Sequence, residues 1–432
     1  MKQTHIVVIG GGIAGAAAAN ELLRQGHKVT IVEKNNRLGG RIHSITENGC
    51  TFELGASFLT DIYTNIFTFL KEKRLDKHLQ RRKSKSAIVK EKKIYPISAS
   101  TLLGNDLVSL SAKVQLLPEF WKIIRDWKTF DMHTLWKGYP YDKKTVRQSF
   151  NGKDGQELVN YLLQPMLDGY LYWSSDKTSE AMLLFILKFL RGKRYIYQPG
   201  LQTIPELLAK GSNVLLSQEV KEIKRISENE FEIRTNNKTL KADGIVCATT
   251  ATTVPLMFKN LTNKQKEFFS SISYSTTVVV AKTYQGKTPR NIAIAYPRIE
   301  KYNLGTITIN SDTLTKTTIT KLYASGITGK ALCLLPDKEI EKKLLQNAKI
   351  SKDVFDFSVP SNSTYVQRWH EALPEFTVGH FGRLKDFREG NVELENERVV
   401  FAGDYIGGPF IEGAFTSGIQ AAKRLHERIS SL

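Results

Sequence analysis

With 432 residues, 41% apolar and 10% aromatic, the chain can build two sizeable cores with a cleft between them, and it is too rich in core-forming side chains to be disordered. Its 62 Lys and Arg against 43 Asp and Glu give a net charge of +19, and Lys71 to Lys93 alone holds eleven cations against three acids. That face is either solvated or meets an anionic lipid or an acidic substrate; with no helix-turn-helix, zinc-knuckle or stacking-aromatic motif beside the charge, no nucleic acid is expected.

The first residues, MKQTHIVVIGGG, enter a strand directly, so no secretory leader is expected, and no run of 18 apolar residues marks a membrane span. Cys50, Cys247 and Cys333 lie far apart without CxxC spacing, which argues against a disulfide framework or a zinc site and for a reducing cytoplasm. The strand His5 to Ile9, the alanine-rich helix Ala14 to Leu23, a stop at Gly26 and the strand Lys28 to Glu33 read as a βαβ unit. Residues 62 to 198 follow as a helix-rich insertion, with apolar periodicity in Ile62 to Leu70, Leu116 to Trp127, Gly155 to Tyr172 and Glu180 to Leu190. Nucleotide-type segments resume with a helix in Gly200 to Lys210 and strands at Val214 to Ser217, Glu230 to Thr235 and Asp243 to Thr249. A strand-rich insertion spans 256 to 390, with runs such as Thr276 to Thr283 and Leu332 to Leu335, before a last buried strand, Arg398 to Asp404, and the helix Gly413 to Ile429.

The sharpest motif is VVIGGGIAG, a GxGxxG with Gly10, Gly12 and Gly15 between strand and helix, and Glu33 ends the next strand. Gly10 makes the tight turn, Gly12 lets a pyrophosphate approach the backbone, Gly15 allows close helix packing, and Glu33 accepts hydrogen bonds from a ribose. This fingerprint does not choose between NAD and FAD. The choice rests on Arg37-Leu38-Gly39-Gly40-Arg41 and Glu53-Leu54-Gly55-Ala56-Ser57, which resemble the signature of the flavin-containing amine oxidase and protoporphyrinogen oxidase superfamily. The resemblance implies that Arg41 contacts FAD phosphates and that the Gly55-Ala56-Ser57 turn lies beside the flavin. Phe401-Ala402-Gly403-Asp404 and Glu412-Gly413-Ala414 are similar to the closing flavin motif, with Asp404 on the flavin side and a helix N-terminus at the ring. Pro199 to Thr203 with Glu219-Val220 resembles the central segment, where the Val220 backbone meets adenine.

The implied architecture is α/β: a discontinuous Rossmann-like FAD-binding domain (1–61, 199–255 and 391–432) with an inserted α+β substrate-binding domain (62–198 and 256–390) made of a helical part and a mixed β-sheet. Arg368-Trp369, Ala372-Leu373-Pro374 and Val378-Gly379-His380, with Gln164 to Gly169, resemble bacterial protoporphyrinogen oxidases, whereas the Glu412-Gly413-Ala414 turn is more typical of amine oxidases and plant-type phytoene desaturases. Amine oxidases place a lysine near flavin N5 at the register of Val280, which makes Lys282 the nearest candidate beside the bland reading of a solvent-facing lysine. Phe410 is a candidate wall of an aromatic cage with Trp369 or Phe376 opposite, or else core packing. His370 and His380 read as hydrogen-bonded structural residues. With no cysteine near the late motif, FAD is expected to be bound non-covalently, and no metal is expected.

The expected reaction is hydride transfer from a small molecule to flavin N5, the leading substrate being protoporphyrinogen-like or otherwise conjugated and acidic, with dioxygen or a quinone as electron acceptor. The alternatives are oxidation of an amine C–N bond, desaturation of an apolar molecule, and a flavin-binding module without turnover. The amphipathic stretch Leu116 to Trp127 makes peripheral contact with an anionic membrane the alternative to a purely cytoplasmic location.

Overall fold

Short apolar strands buried on both faces make up the first layer. The computed structural model describes residues 4–98, 101, 104–286, 288, 291–389 and 398–430. Five parallel strands lie in the order Asn213–Leu215, Lys28–Val32, His5–Ile9, Gly244–Cys247 and Val399–Phe401. With a side-chain period of two, Ile6, Val8, Ile31, Val246 and Val400 enter one core while Val7, Ile9, Val32, Ile245 and Phe401 enter the other. The first core is covered by the helices Ile13–Arg24 and Ile411–Ser430. These two helices cross closely because a Cβ on Gly418 would sit 2.0 Å from the Ala14 carbonyl oxygen, which leaves no room for any other residue. The expected boundary at 390/391 lies outside the described residues.

The second layer is a seven-stranded sheet in the order Ser363–Trp369, Thr277–Gln285, Thr317–Ala324, Leu304–Asp312, Ile292–Ala295, Lys85–Lys90 and Lys93–Ile97. Val278, Val280, Ile307, Ile309 and Leu322 fill one face together with Ile340 and Leu344 of the helix Asp337–Ala348. The opposite face carries Thr306, Thr308, Lys321 and Tyr323 and looks into a cavity.

The structure refines three expectations. The helix-rich first insertion also contributes strands: Lys85–Lys90 pairs parallel with Ile292–Ala295, and a two-residue turn at Glu91 and Lys92, both left-handed (φ 51 and 62°), returns the chain as Lys93–Ile97. Leu332 to Leu335 is not a strand, because it ends the short helix Gly329–Leu332 and turns ahead of Pro336. Gly155 to Tyr172 is interrupted by a π-helical turn at Val159–Leu163, just before Pro165, whose missing N–H cannot serve an α-helical ladder. Among the described residues no helix is long and apolar enough to cross a membrane.

Candidate active site

A cavity of 1340 Å³ lies between the C-terminal ends of the parallel strands and the polar face of the seven-stranded sheet, larger than the roughly 300–1,000 Å³ of most small-molecule sites. Gly10, Gly12 and Glu33 form its floor. Gly10 needs to be glycine for local reasons, with φ +101° and a would-be Cβ 2.7 Å from the Ala248 oxygen. Gly15 does not line the cavity; its Cβ would strike the Gly10 oxygen at 1.9 Å, so it sets how closely the helix follows the turn. Gly12 is different. Its backbone (φ −69°, ψ 179°) suits any residue, and a Cβ there would meet no protein atom within 4 Å. Nothing in the chain itself requires this glycine, whereas a ligand lying against the backbone at the uncapped N-terminus of Ile13–Arg24 would. The Glu33 carboxylate accepts from the Gly11 amide (2.7 Å) and the Asn35 amide (2.8 Å), and so fixes the loop while still facing the cavity.

Arg37, Gly40 and Arg41 line the next wall, Gly55, Ala56 and Ser57 lie beside them, and Val220 closes the far end. Arg37 donates to the carbonyls of Ile42 (2.9 Å) and Gly40 (2.9 Å), so it shapes the loop from inside as well as facing the cavity. Gly55 packs against the Arg41 carbonyl, which a Cβ would approach to 1.9 Å. Arg41 forms a two-pronged pair with Asp404, at 2.7 and 2.9 Å, and also donates to the Ala372 carbonyl. Burial works against its charge, but Asp404 more than offsets this and holds the guanidinium above the ordinary arginine value. The two residues whose roles were read separately, one for phosphate and one for the flavin side, thus form one unit about 360 positions apart in sequence.

At the late motif, Gly403 and Ala414 line the cavity; Glu412 and Gly413 do not. The fully buried Glu412 carboxylate turns the other way and accepts from the amides of Asn65 (2.7 Å) and Ile66 (3.1 Å) at the start of the helix Thr64–Glu72. Gly413 packs on the Gly407 and Gly408 carbonyls. Both residues therefore build the support under the C-terminal helix rather than the ligand wall.

On the sheet side, Lys282 shares a face with Val280, and that face points to the helix Asp337–Ala348, where Lys282 pairs with Glu341 away from the cavity. The lysine in the wall is Lys321, opposite Ala281 on the neighbouring strand; its ammonium donates to Ser57 Oγ (2.9 Å) and the Glu53 carbonyl (3.1 Å). No local signal in the Thr-rich segment Thr317–Ala324 singles it out; its place in the wall is set by the pairing that puts Lys321 opposite Ala281. Trp369 lines the cavity and donates from Nε1 to the Leu54 carbonyl (2.9 Å). Phe410 also lines it, but its facing ring is Phe189 of the helical insertion, stacked at 4.8 Å; Phe376 is fully buried against Trp173. His380 is buried and accepts from or donates to no cavity group: Nε2 meets the Tyr405 carbonyl at 3.0 Å, and burial drives its pKa down to about 3, leaving it neutral. His370 lies at the cavity rim. No cysteine is among the lining residues.

The sequence profile described as flavin containing amine oxidoreductase matches residues 13–426. A coproporphyrinogen III oxidase of Bacillus subtilis (strain 168) is 22% identical over 480 aligned positions, covering 95% of this chain and 94% of that protein. Two solved structures share the fold: a protein assigned as a protoporphyrinogen oxidase from Exiguobacterium sp. 255-15 (TM-score 0.79, 18% identity, 99% of each chain) and cyclohexylamine oxidase from Brevibacterium oxydans IH-35A (TM-score 0.78, 16% identity, 99% of this chain and 100% of that one). The chain belongs to the flavin containing amine oxidoreductase family and is an FAD-dependent oxidoreductase.

Proposed function

We propose that this enzyme oxidises a conjugated, acidic small molecule of the porphyrinogen type. The observation that carries the reading is the charge of the wall facing the nucleotide side: Lys321, Arg82, Arg191 and Arg194 line it, and no Asp or Glu there faces the cavity among the described residues. A cationic amine would meet repulsion at this wall, whereas an anionic ring system would be held. The full-length similarity to the Bacillus coproporphyrinogen III oxidase supports the same reading.

In this reading segments 1–61, 199–255 and 391–432 hold FAD and segments 62–198 and 256–390 hold the substrate. Gly12 and the first helix N-terminus receive the pyrophosphate, Glu33 the adenosine ribose, Val220 the adenine, and the Arg41–Asp404 unit with Gly403 the flavin half, between the Gly55–Ser57 turn and Ala414. When bound, FAD supplies the two-electron acceptor. The apolar walls exclude water, the Phe189–Phe410 stack flanks the reaction space, and Lys321 holds a positive charge against the Ser57 turn. Reoxidation falls to dioxygen or a quinone.

The helix Leu117–Arg125 exposes Trp121 (62%) and Ile124 (66%), while Leu116 and Phe120 beside them line the cavity, and Lys188 and Arg191 lie over the Trp127 ring. We infer that this face rests on an anionic membrane surface next to the cavity mouth. Aerobic turnover tests the substrate reading: coproporphyrinogen III or protoporphyrinogen IX yields porphyrin absorbance with oxygen uptake, and turnover confined to amines overturns it.

A further inference from the structure

The strand Leu79–Arg81 and the strand Arg194–Tyr197 pair antiparallel, and the Arg82 amide donates to the Arg194 carbonyl at 2.8 Å. The backbone therefore sets two arginines side by side, and both line the cavity. Arg194 is already placed: its guanidinium lies over the rings of Phe58 (5.3 Å) and Tyr170 (5.0 Å) and donates to the Tyr170 hydroxyl. No carboxylate pairs with it among the described residues.

Arg82 is half-buried, and its guanidinium makes no hydrogen bond or ion pair among the described residues. The acids whose charge reaches it are committed elsewhere. Asp312 accepts from the Leu314 and Thr315 amides and the Thr315 hydroxyl, and Glu53 accepts from the Leu201 amide and the Ser44 hydroxyl. Of the acids that do line the cavity, Glu33, Glu219 and Asp404 belong to the nucleotide segments, and Glu371 of the second insertion is held on that side by Thr250 and Thr252, as Asp404 is by Arg41. A partly desolvated guanidinium fork without an acceptor is costly in a finished protein, and a planar anion is the partner that its geometry fits.

We propose that Arg82 and Arg194 form a carboxylate subsite that anchors an acidic side arm of a conjugated substrate and so holds the ring against the flavin half of the cavity. This rests on the substrate reading above, but its test is independent of it. Holoprotein is titrated with two fluorescent probes of like shape, 1-pyrenebutyrate and the uncharged 1-pyrenebutanol. Wild type is expected to bind the carboxylate at least about tenfold more tightly than the alcohol; Arg82→Gln and Arg194→Gln should each bring the two probes close to parity, and Arg82→Lys should keep part of the preference. Flavin content and thermal midpoint serve as controls for folding, and Arg82→Gln, which breaks no observed contact, carries the conclusion if Arg194→Gln does not fold. Parity of the probes on wild type, or an undiminished preference in Arg82→Gln, overturns the subsite. A preserved carboxylate preference in a protein that turns over no porphyrinogen would support the subsite and remove the porphyrinogen.

Discussion

Two glycines of the same motif should respond oppositely to the same substitution. Gly15→Ala places a methyl carbon 1.9 Å from the Gly10 carbonyl oxygen, a main-chain atom that cannot swing aside, so the first helix must lift from the turn. Overpacking of that kind costs about 3 kcal/mol or more, and both the fold and FAD binding should suffer. Gly12→Ala places the methyl in open cavity, on a backbone that alanine adopts without strain. The cost to the apoprotein is the preference for Gly over Ala at a helix N-cap, under about 1 kcal/mol, and should move the thermal midpoint by no more than about 2 °C. FAD, however, would lose its close approach to the helix amides; forfeiting one charge-assisted hydrogen bond of about 1.5–3 kcal/mol weakens binding roughly 10- to 100-fold. Apoprotein prepared by mild flavin removal is titrated with FAD through flavin fluorescence quenching, and its melting is followed in parallel. Unchanged FAD affinity in Gly12→Ala, or an apoprotein destabilised as much as Gly15→Ala, would refute the reasoning that assigns this glycine to the ligand.

Further outcomes follow from the same geometry. Burial raises the Glu53 carboxyl to about 7, against the opposing Leu201 and Ser44 hydrogen bonds and Lys321; the unfolded chain ionises it near 4.5, so folding stability falls as pH rises through that window and levels off above it. Relative to Glu53→Gln, wild type should lose about 3 kcal/mol between pH 4.5 and 7.5 in denaturant titrations, and parallel pH profiles would contradict the assignment. Lys321→Met should retain FAD yet slow turnover at least about tenfold, whereas Lys282→Met, whose partner Glu341 lies behind the sheet, should leave turnover per bound flavin unchanged; steady-state kinetics normalised to flavin content distinguish the two. Asp404→Asn leaves Arg41 without its counter-charge and should weaken FAD binding by roughly tenfold or more in the same fluorescence titration. Trp121→Glu with Ile124→Glu should abolish co-sedimentation with anionic vesicles at low salt and leave flavin content intact, and unchanged sedimentation would remove the membrane face.

The nucleotide side was legible because its motif positions serve local geometry: a strand, a positive-φ Gly10, a helix and Glu33 are all neighbours in sequence. The sheet-side wall of the cavity was not legible for the converse reason. Lys282 was chosen for its place two residues from Val280, and that same period of two puts it behind the sheet with Val280. Lys321 reaches the cavity only because Thr317–Ala324 pairs with Thr277–Gln285 in the register Ala281 to Lys321, a long-range fact. Glu412 and Gly413 were read as ligand contacts from the motif, but the first turn of a helix presents its residues on different sides, and Ala414 alone of the three faces inward while Glu412 caps Thr64–Glu72. Phe189, Arg82 and Arg194 carry no local signal at all, since each is placed by partners distant in sequence: Phe189 by Phe410, Arg82 by the strand of Arg194, and Arg194 by Phe58 and Tyr170. The strands Lys85–Lys90 and Lys93–Ile97, the second of which forms the sheet edge, were hidden by their charge, which suits a strand near a sheet edge as readily as a solvated helix.

Anaerobic reduction of the bound flavin tests the central claim most directly, because it reads the substrate's encounter with the cofactor without depending on the electron acceptor. Holoprotein mixed in separate cuvettes with coproporphyrinogen III, protoporphyrinogen IX and a panel of primary and secondary amines is predicted to lose its oxidised-flavin absorbance with a porphyrinogen and to keep it with every amine. Bleaching by amines with none by either porphyrinogen would contradict the account.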